Sequence, residues 1–158
     1  MSERLKLPAN IVLGECEMTR INVVPVEELC DKHLIAEFHE LPRIFTEVKK
    51  LLAKGGDPAR IEAPEEYVLG TGHMKFFYNR LGWLRDRHAE LTLELIRRGK
   101  NVNIELLRGM TDGIPTRLMK GWKPTQKALE LNRDRIEERL IEMNSKTKRP
   151  VTKVTETE

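Results

Sequence analysis

The chain has little that would mark a membrane protein, a disulfide scaffold or a zinc ribbon. Its 158 residues include two cysteines, Cys16 and Cys30, and only 5% aromatics. No run of about 18 apolar residues occurs, so a hydrophobic membrane-spanning helix is excluded. Two cysteines suit a reducing compartment and are too few for a disulfide framework. The opening MSERLKLPANIVLGECE lacks the apolar core and small-residue cleavage site of a secretion signal. A cytoplasmic location is therefore expected. The patterns HExxH, GxxxxGK[ST] and CxxC are missing, which argues against zincin, nucleotide-triphosphatase and zinc-ribbon chemistry. No metal and no cofactor is expected, and no internal repeat is visible.

What is present is charge and helix formers. There are 28 Lys+Arg against 25 Asp+Glu, a net charge of +3, with 34% charged and 39% hydrophobic residues. That length supports one domain with one packed core. The pI near 8.9 points weakly to a polyanionic partner. Abundant Lys, Glu, Leu and Arg with few β-branched runs favour an all-α fold.

Helical spacing is clearest at Leu34, Phe38, Leu41, Phe45, Val48 and Leu52. Asp31 is the expected N-cap, and Gly55-Gly56 ends the run. Pro42 should kink this helix without ending it, because the apolar stripe continues in register. A second helix is predicted over His73 to Arg98, with the stripe Phe77, Leu81, Leu84, His88, Leu91 and Leu95. Gly82 within it suggests close packing. A third is predicted from Thr125 to Met143, burying Leu129, Ile136 and Leu140. The segment from Asn144 has no apolar periodicity and is expected to form a flexible tail over 144–158. The expected fold is a compact single domain of three main helices with long connecting loops.

Several polar residues share faces. His33, Glu37 and Glu40 lie along one side of the first helix, with His39 and Arg43 nearby. Taken alone, this reads better as a solvated flank. His88, on an apolar stripe, is expected to be a hydrogen-bonded core histidine. His73, beside Gly72, is expected to cap a helix start in preference to meeting a phosphate. Arg135 and Arg139 stand one turn apart on the third helix. They suit either phosphate contacts or a charged solvent face.

Two blocks carry a resemblance. Met18-Thr19-Arg20-Ile21-Asn22 with HLIAEFHELPRIF at 33–45, and LGTGHMKFFYNRLGWLRDRHAELTLELIRRG at 69–99, resemble the phage-type pyrimidine-dimer DNA glycosylase/apurinic-site lyases, the endonuclease V type of T-even phage. The likeness spans roughly 18–142 and is weaker over 100–123. It implies a small all-α, metal-free enzyme, a monomer whose N-terminal arm reaches the active site. Such an enzyme binds duplex DNA containing pyrimidine dimers or abasic sites. It cuts the glycosidic bond of the dimer's 5′ pyrimidine and nicks the backbone by β-elimination. By the same match, the nucleophile is the α-amine of Thr19 and the essential carboxylate is Glu40. The DNA-contacting residues fall on Arg20, His33, His39, Arg43, Arg135 and Arg139.

An α-amine suits this chemistry. Its pKa near 7.7–8 leaves roughly a tenth as free base at pH 7, against well under a thousandth for Lys. A nearby carboxylate can stabilise a cationic sugar and shuttle protons.

Three features depart from the resemblance. Residues 1–17 precede Met18, so they are expected to be a non-native or removable leader before a domain at 18–143. Gly14-Glu15 can be encoded GGAGAR, a ribosome-binding sequence two codons upstream of Met18, which makes Met18 the expected initiator. A chain starting at Thr19 has a net charge of +4 and only Cys30. His39 stands where relatives carry Arg, so phosphate grip there should be weaker and pH-dependent. The tail lacks the aromatics of the phage member, which leaves Trp83 and Trp122 as substitutes if the fold places them near DNA. The alternative function is a non-catalytic DNA-binding module that keeps the fold, and a third is a helical interaction protein.

Overall fold

The computed structural model describes residues 20–147. Four α-helices occur among them: α1 (Asp31–Ala53), α2 (His73–Phe76), α3 (Leu81–Arg97) and α4 (Gln126–Thr147). The described residues form no strand, only an isolated bridge between Arg80 and Met119. None of their helices is long and apolar enough to cross a membrane. The all-α expectation with three main helices is borne out.

Helix α1 packs on α3 along its length. The two run antiparallel: Asp31 at the start of α1 meets Arg98 beyond the end of α3, at 2.9 Å. Further along, Glu37 meets Arg87 at 2.8 Å. Their shared core includes Leu34, Phe38, Leu41, Ile44, Phe45 and Val48 from α1 and Leu81, Leu84, Leu91 and Leu95 from α3. The predicted stripe of α1 is thus its buried face, apart from Leu52 at the margin. The N-cap is Cys30, which makes no side-chain cap bond. Asp31 instead takes ion pairs from Arg98 and Lys100, tying the helix ends together.

Pro42 lies inside α1, as expected. Proline has no N–H, so the carbonyl four residues back, that of Phe38, loses its helical donor. His88 of α3 replaces it: Nε2 donates to Phe38 O at 3.0 Å, and its ring stacks on Phe38 at 4.7 Å. His88 is fully buried. It is the hydrogen-bonded core histidine that its position on the stripe predicts.

The second helix differs from expectation. It is broken at Phe77–Arg80 into α2 and α3. Phe76, Phe77 and Tyr78 are all buried. Three consecutive side chains on one helix fan over about 200° and cannot share a core-facing stripe. Breaking the helix lets all three turn inward. Arg80 holds the break, donating to Phe76 O at 2.6 Å with its guanidinium 4.0 Å from the Phe76 ring centroid. Gly82 follows, in α3. A Cβ there would lie 2.5 Å from Met119 O and 3.0 Å from Lys120 O. Close packing is borne out, against the backbone of 119–120.

Helix α4 also departs from prediction. Its buried residues are Ala128 and Asn132. Leu129 and Ile136 are partly buried, and Leu140 lies at the surface. The helix docks through Ala128, Leu129 and Ile136 together with the buried polar Asn132, which hydrophobic periodicity does not register. It runs to Thr147, beyond the predicted end at Met143. Residues 148–158 of the expected tail and the expected leader lie outside the described residues. Trp83 and Trp122 pack edge-to-face at 5.2 Å within an aromatic cluster around Phe77, where both are partly buried.

Candidate active site

Residues 20–24 form an extended arm that crosses the helices. Side chains from five different segments hold its backbone: α1, the loop at Tyr67, α2, α3 and α4. The Arg20 N–H donates to Glu40 Oε2 at 3.0 Å. The Ile21 N–H donates to His73 Nε2 at 2.7 Å, and Ile21 O accepts from the Tyr67 hydroxyl at 2.7 Å. The N–H groups of Val23 and Val24 both donate to Asn132 Oδ1, at 2.7 and 3.2 Å. Val24 O accepts from Arg87 Nη1 at 2.6 Å. Ile21, Val23 and Val24 are buried, which anchors the arm hydrophobically between these bonds.

His73 is therefore neither a helix cap nor a phosphate ligand, a correction to the sequence reading. Gly72 is the N-cap, at φ 90. His73 turns inward because Ile21 and Val68 supply its two partners. Nε2 accepts from Ile21, so Nδ1 carries the proton and donates to Val68 O at 2.7 Å. Burial lowers the His73 pKa from 6.5 to about 4, opposed by the Val68 bond. The neutral ring is the form that can accept from the arm.

Glu37 is not on a solvated flank. Its side chain and that of Arg87 are 1% and 3% exposed. Arg87 donates to both Glu37 oxygens, at 2.8 and 3.3 Å. Glu37 also accepts from Asn22 Nδ2 at 2.9 Å, and Asn22 Oδ1 accepts from Asn132 Nδ2 at 2.9 Å. A continuous buried chain thus runs from α3 through α1 and the arm to α4.

Around the start of the arm stand cations. Burial first, then Arg139 and Arg135, lowers the Arg20 pKa from its ordinary value, while Glu40 opposes this. Burial, then Arg139, Lys32 and Arg20, pushes the His33 pKa down. Arg20, His33, Arg135 and Arg139 are consequently one electrostatic cluster next to the half-buried Glu40. Arg135 also pairs with Glu138 at 2.9 Å. Among the described residues Arg139 Nε is buried with no hydrogen-bond partner, an unsatisfied donor that an anion would complete.

His39 and Arg43 flank Glu40 on α1 and are exposed. The structure brings Arg20, His33, Glu40, Arg135 and Arg139 together; Thr19 lies outside the described residues. Tyr67, His73, Asn22, Asn132, Glu37 and Arg87 were not among the expected site residues. Apart from Glu37, which shares a face with His33 and Glu40, nothing in their spacing marks them, since their partners lie in distant segments.

The family model for pyrimidine dimer DNA glycosylases matches residues 18–107. The chain belongs to this family. The match starts at Met18 and takes in the arm, Glu40 and α3. It is shorter than the likeness read from sequence, and the pyrimidine dimer DNA glycosylase match stops before α4. Membership makes the chain a DNA-repair glycosylase with DNA as substrate. It also gives the cationic cluster a natural partner, because phosphates are what such clusters bind.

Proposed function

We propose that this glycosylase excises ultraviolet-induced pyrimidine dimers through an imine on the Thr19 α-amine and then cuts the abasic site by β-elimination. The observation that supports this most is the 3.0 Å hydrogen bond from Arg20 N to Glu40. The α-nitrogen of residue 19 is three covalent bonds from Arg20 N, so it lies within about 4.3 Å of that atom at any backbone angle. An amine there is within reach of the Glu40 carboxylate, directly or through one water.

The chemistry follows in order. The neutral amine attacks C1′ as the C1′–N bond breaks, and the bonding pair leaves with the base. Glu40 stabilises the positive charge that develops on the sugar. The nitrogen loses a proton, its lone pair forms the C=N bond as the C1′–O4′ bond breaks, and O4′ takes up a proton, giving the ring-opened imine. The imine acidifies C2′–H. Removal of that proton, with Glu40 as base, drives the electron pair to expel the phosphate from C3′. Water then hydrolyses the imine and frees the enzyme. Arg20, His33, Arg135 and Arg139 hold flanking phosphates, with His39 and Arg43 at the exposed side of α1. A lesion that is already poorly stacked lowers the cost of opening the duplex, which supplies selectivity.

The mechanism needs Thr19 at the chain's start, so Met18 acts as initiator or the leader is removed. Borohydride trapping on abasic-site DNA tests this with the 158-residue chain beside one beginning at Thr19. The Thr19 chain should give a covalent adduct and the longer chain should not unless it is processed. Binding without an adduct in either form would indicate a non-catalytic module.

A further inference from the structure

We propose that Asn132 is a positioning residue for the reaction: its side-chain amide fixes the arm and so sets where the Thr19 nitrogen stands relative to Glu40. The inference rests on the reading that Thr19 supplies the nucleophile.

Asn132 is 0% exposed, and every hydrogen-bonding capacity seen for it is spent on the arm. Its oxygen takes two successive N–H groups, those of Val23 and Val24. Its nitrogen donates to Asn22, which passes the restraint on to Glu37 and Arg87. One carbonyl oxygen that holds two consecutive amides fixes the arm's register as well as its location. A slip by one residue would present the alternate faces of Val23 and Val24 and break both bonds. The restraint lies only a few residues from Thr19, and the intervening residues are themselves tied at Arg20 and Ile21.

The placement on α4 adds a second consequence. Asn132, Arg135 and Arg139 follow at spacings of three and four, so they share one face of the helix. The same surface that grips phosphate thus also registers the arm. Ala128, Leu129 and Ile136 also seat α4 against the core, so the helix and its cations keep their place when the Asn132 amide is altered.

The test uses Asn132→Ala and Asn132→Gln in whichever chain form gives the borohydride adduct. Asn132→Ala removes all three hydrogen bonds. Asn132→Gln keeps the amide but moves it outward by one methylene, so hydrogen-bonding chemistry is preserved while register is not. Circular dichroism checks that each is folded; should Asn132→Ala fail to fold, Asn132→Gln carries the test. At saturating abasic-site DNA the single-turnover rate should fall about tenfold or more in both, the order expected when a reacting group is displaced by an ångström or less. Affinity for the same DNA should stay within about threefold, because the cationic groups remain. Saturating rates that match the unsubstituted protein would overturn the proposal, as would a loss seen only in affinity. If the unsubstituted protein gives no adduct in either form, the nucleophile reading itself fails and this inference goes with it.

Discussion

Glu40 stands among Arg20, His33, Arg135 and Arg139, and its Oε2 receives a backbone N–H from the arm. Replacing it with Gln keeps the side chain's shape and its acceptor oxygen but removes the charge. Glu40→Gln should therefore keep binding lesion DNA and lose strand cleavage by at least about a hundredfold; gel-shift and nicking assays on one duplex compare the two directly. His73 makes a prediction about stability. Its folded pKa is about 4, below the unfolded value of 6.5. The unfolded chain binds more protons between those values, so stability is full above pH 6.5 and falls as pH drops toward 4. The loss amounts to on the order of 3 kcal/mol, because burial disfavours the charged ring. Urea unfolding across that window should show a visibly shallower decline in His73→Gln. A slope equal to that of the unsubstituted protein would contradict the assignment. Burial also lowers the pKa values of His33 and His88, so some decline should remain.

At the scale of elements, Gly82 decides how α3 meets the 119–120 segment. In an exposed helix interior, Gly to Ala gains up to about 1 kcal/mol. Here the added Cβ would fall 2.5 Å from a backbone oxygen. Gly82→Ala should reverse the usual sign and destabilise by about 1–3 kcal/mol in urea melts. The elements also show what was legible in the sequence. Helix α1 is read well because its stripe is apolar and long, and Pro42 is tolerated because His88 satisfies the carbonyl it orphans. The break before α3 is missed because periodicity weighs residues one face at a time, whereas Phe76, Phe77 and Tyr78 need three. On α4 the periodicity misses Asn132, a polar residue that is buried because it accepts from Val23 N and donates to Asn22. Of the residues assigned to the site by resemblance, Thr19, Arg20, His33, His39, Glu40 and Arg43 come with the MTRIN and HLIAEFHELPR blocks, whereas Arg135 and Arg139 come from the third predicted helix. The clamp around the arm does not, since its members are 15 to 110 positions from their partners.

For the whole molecule, charge distribution matters more than the net +3. The cations near Glu40 come from the arm, α1 and α4, so they converge only when the fold forms. Taking about five phosphate contacts, the logarithm of the binding constant should fall with the logarithm of salt concentration at a slope near −4 to −5. Fluorescence anisotropy between low and moderate salt measures this, and a slope near zero would remove the DNA-binding face. The buried chain from Arg87 to Asn132 joins the arm to three helices. The arm's position is consequently a property of the complete fold, and loosening any one partner is felt at its start.

The most direct measurement reduces the trapped protein–DNA intermediate with borohydride and maps the linkage by mass spectrometry. The imine mechanism predicts one deoxyribose remnant on the α-nitrogen of Thr19 in a chain that begins there. A remnant on a lysine, or no covalent species with abasic-site DNA, would contradict it.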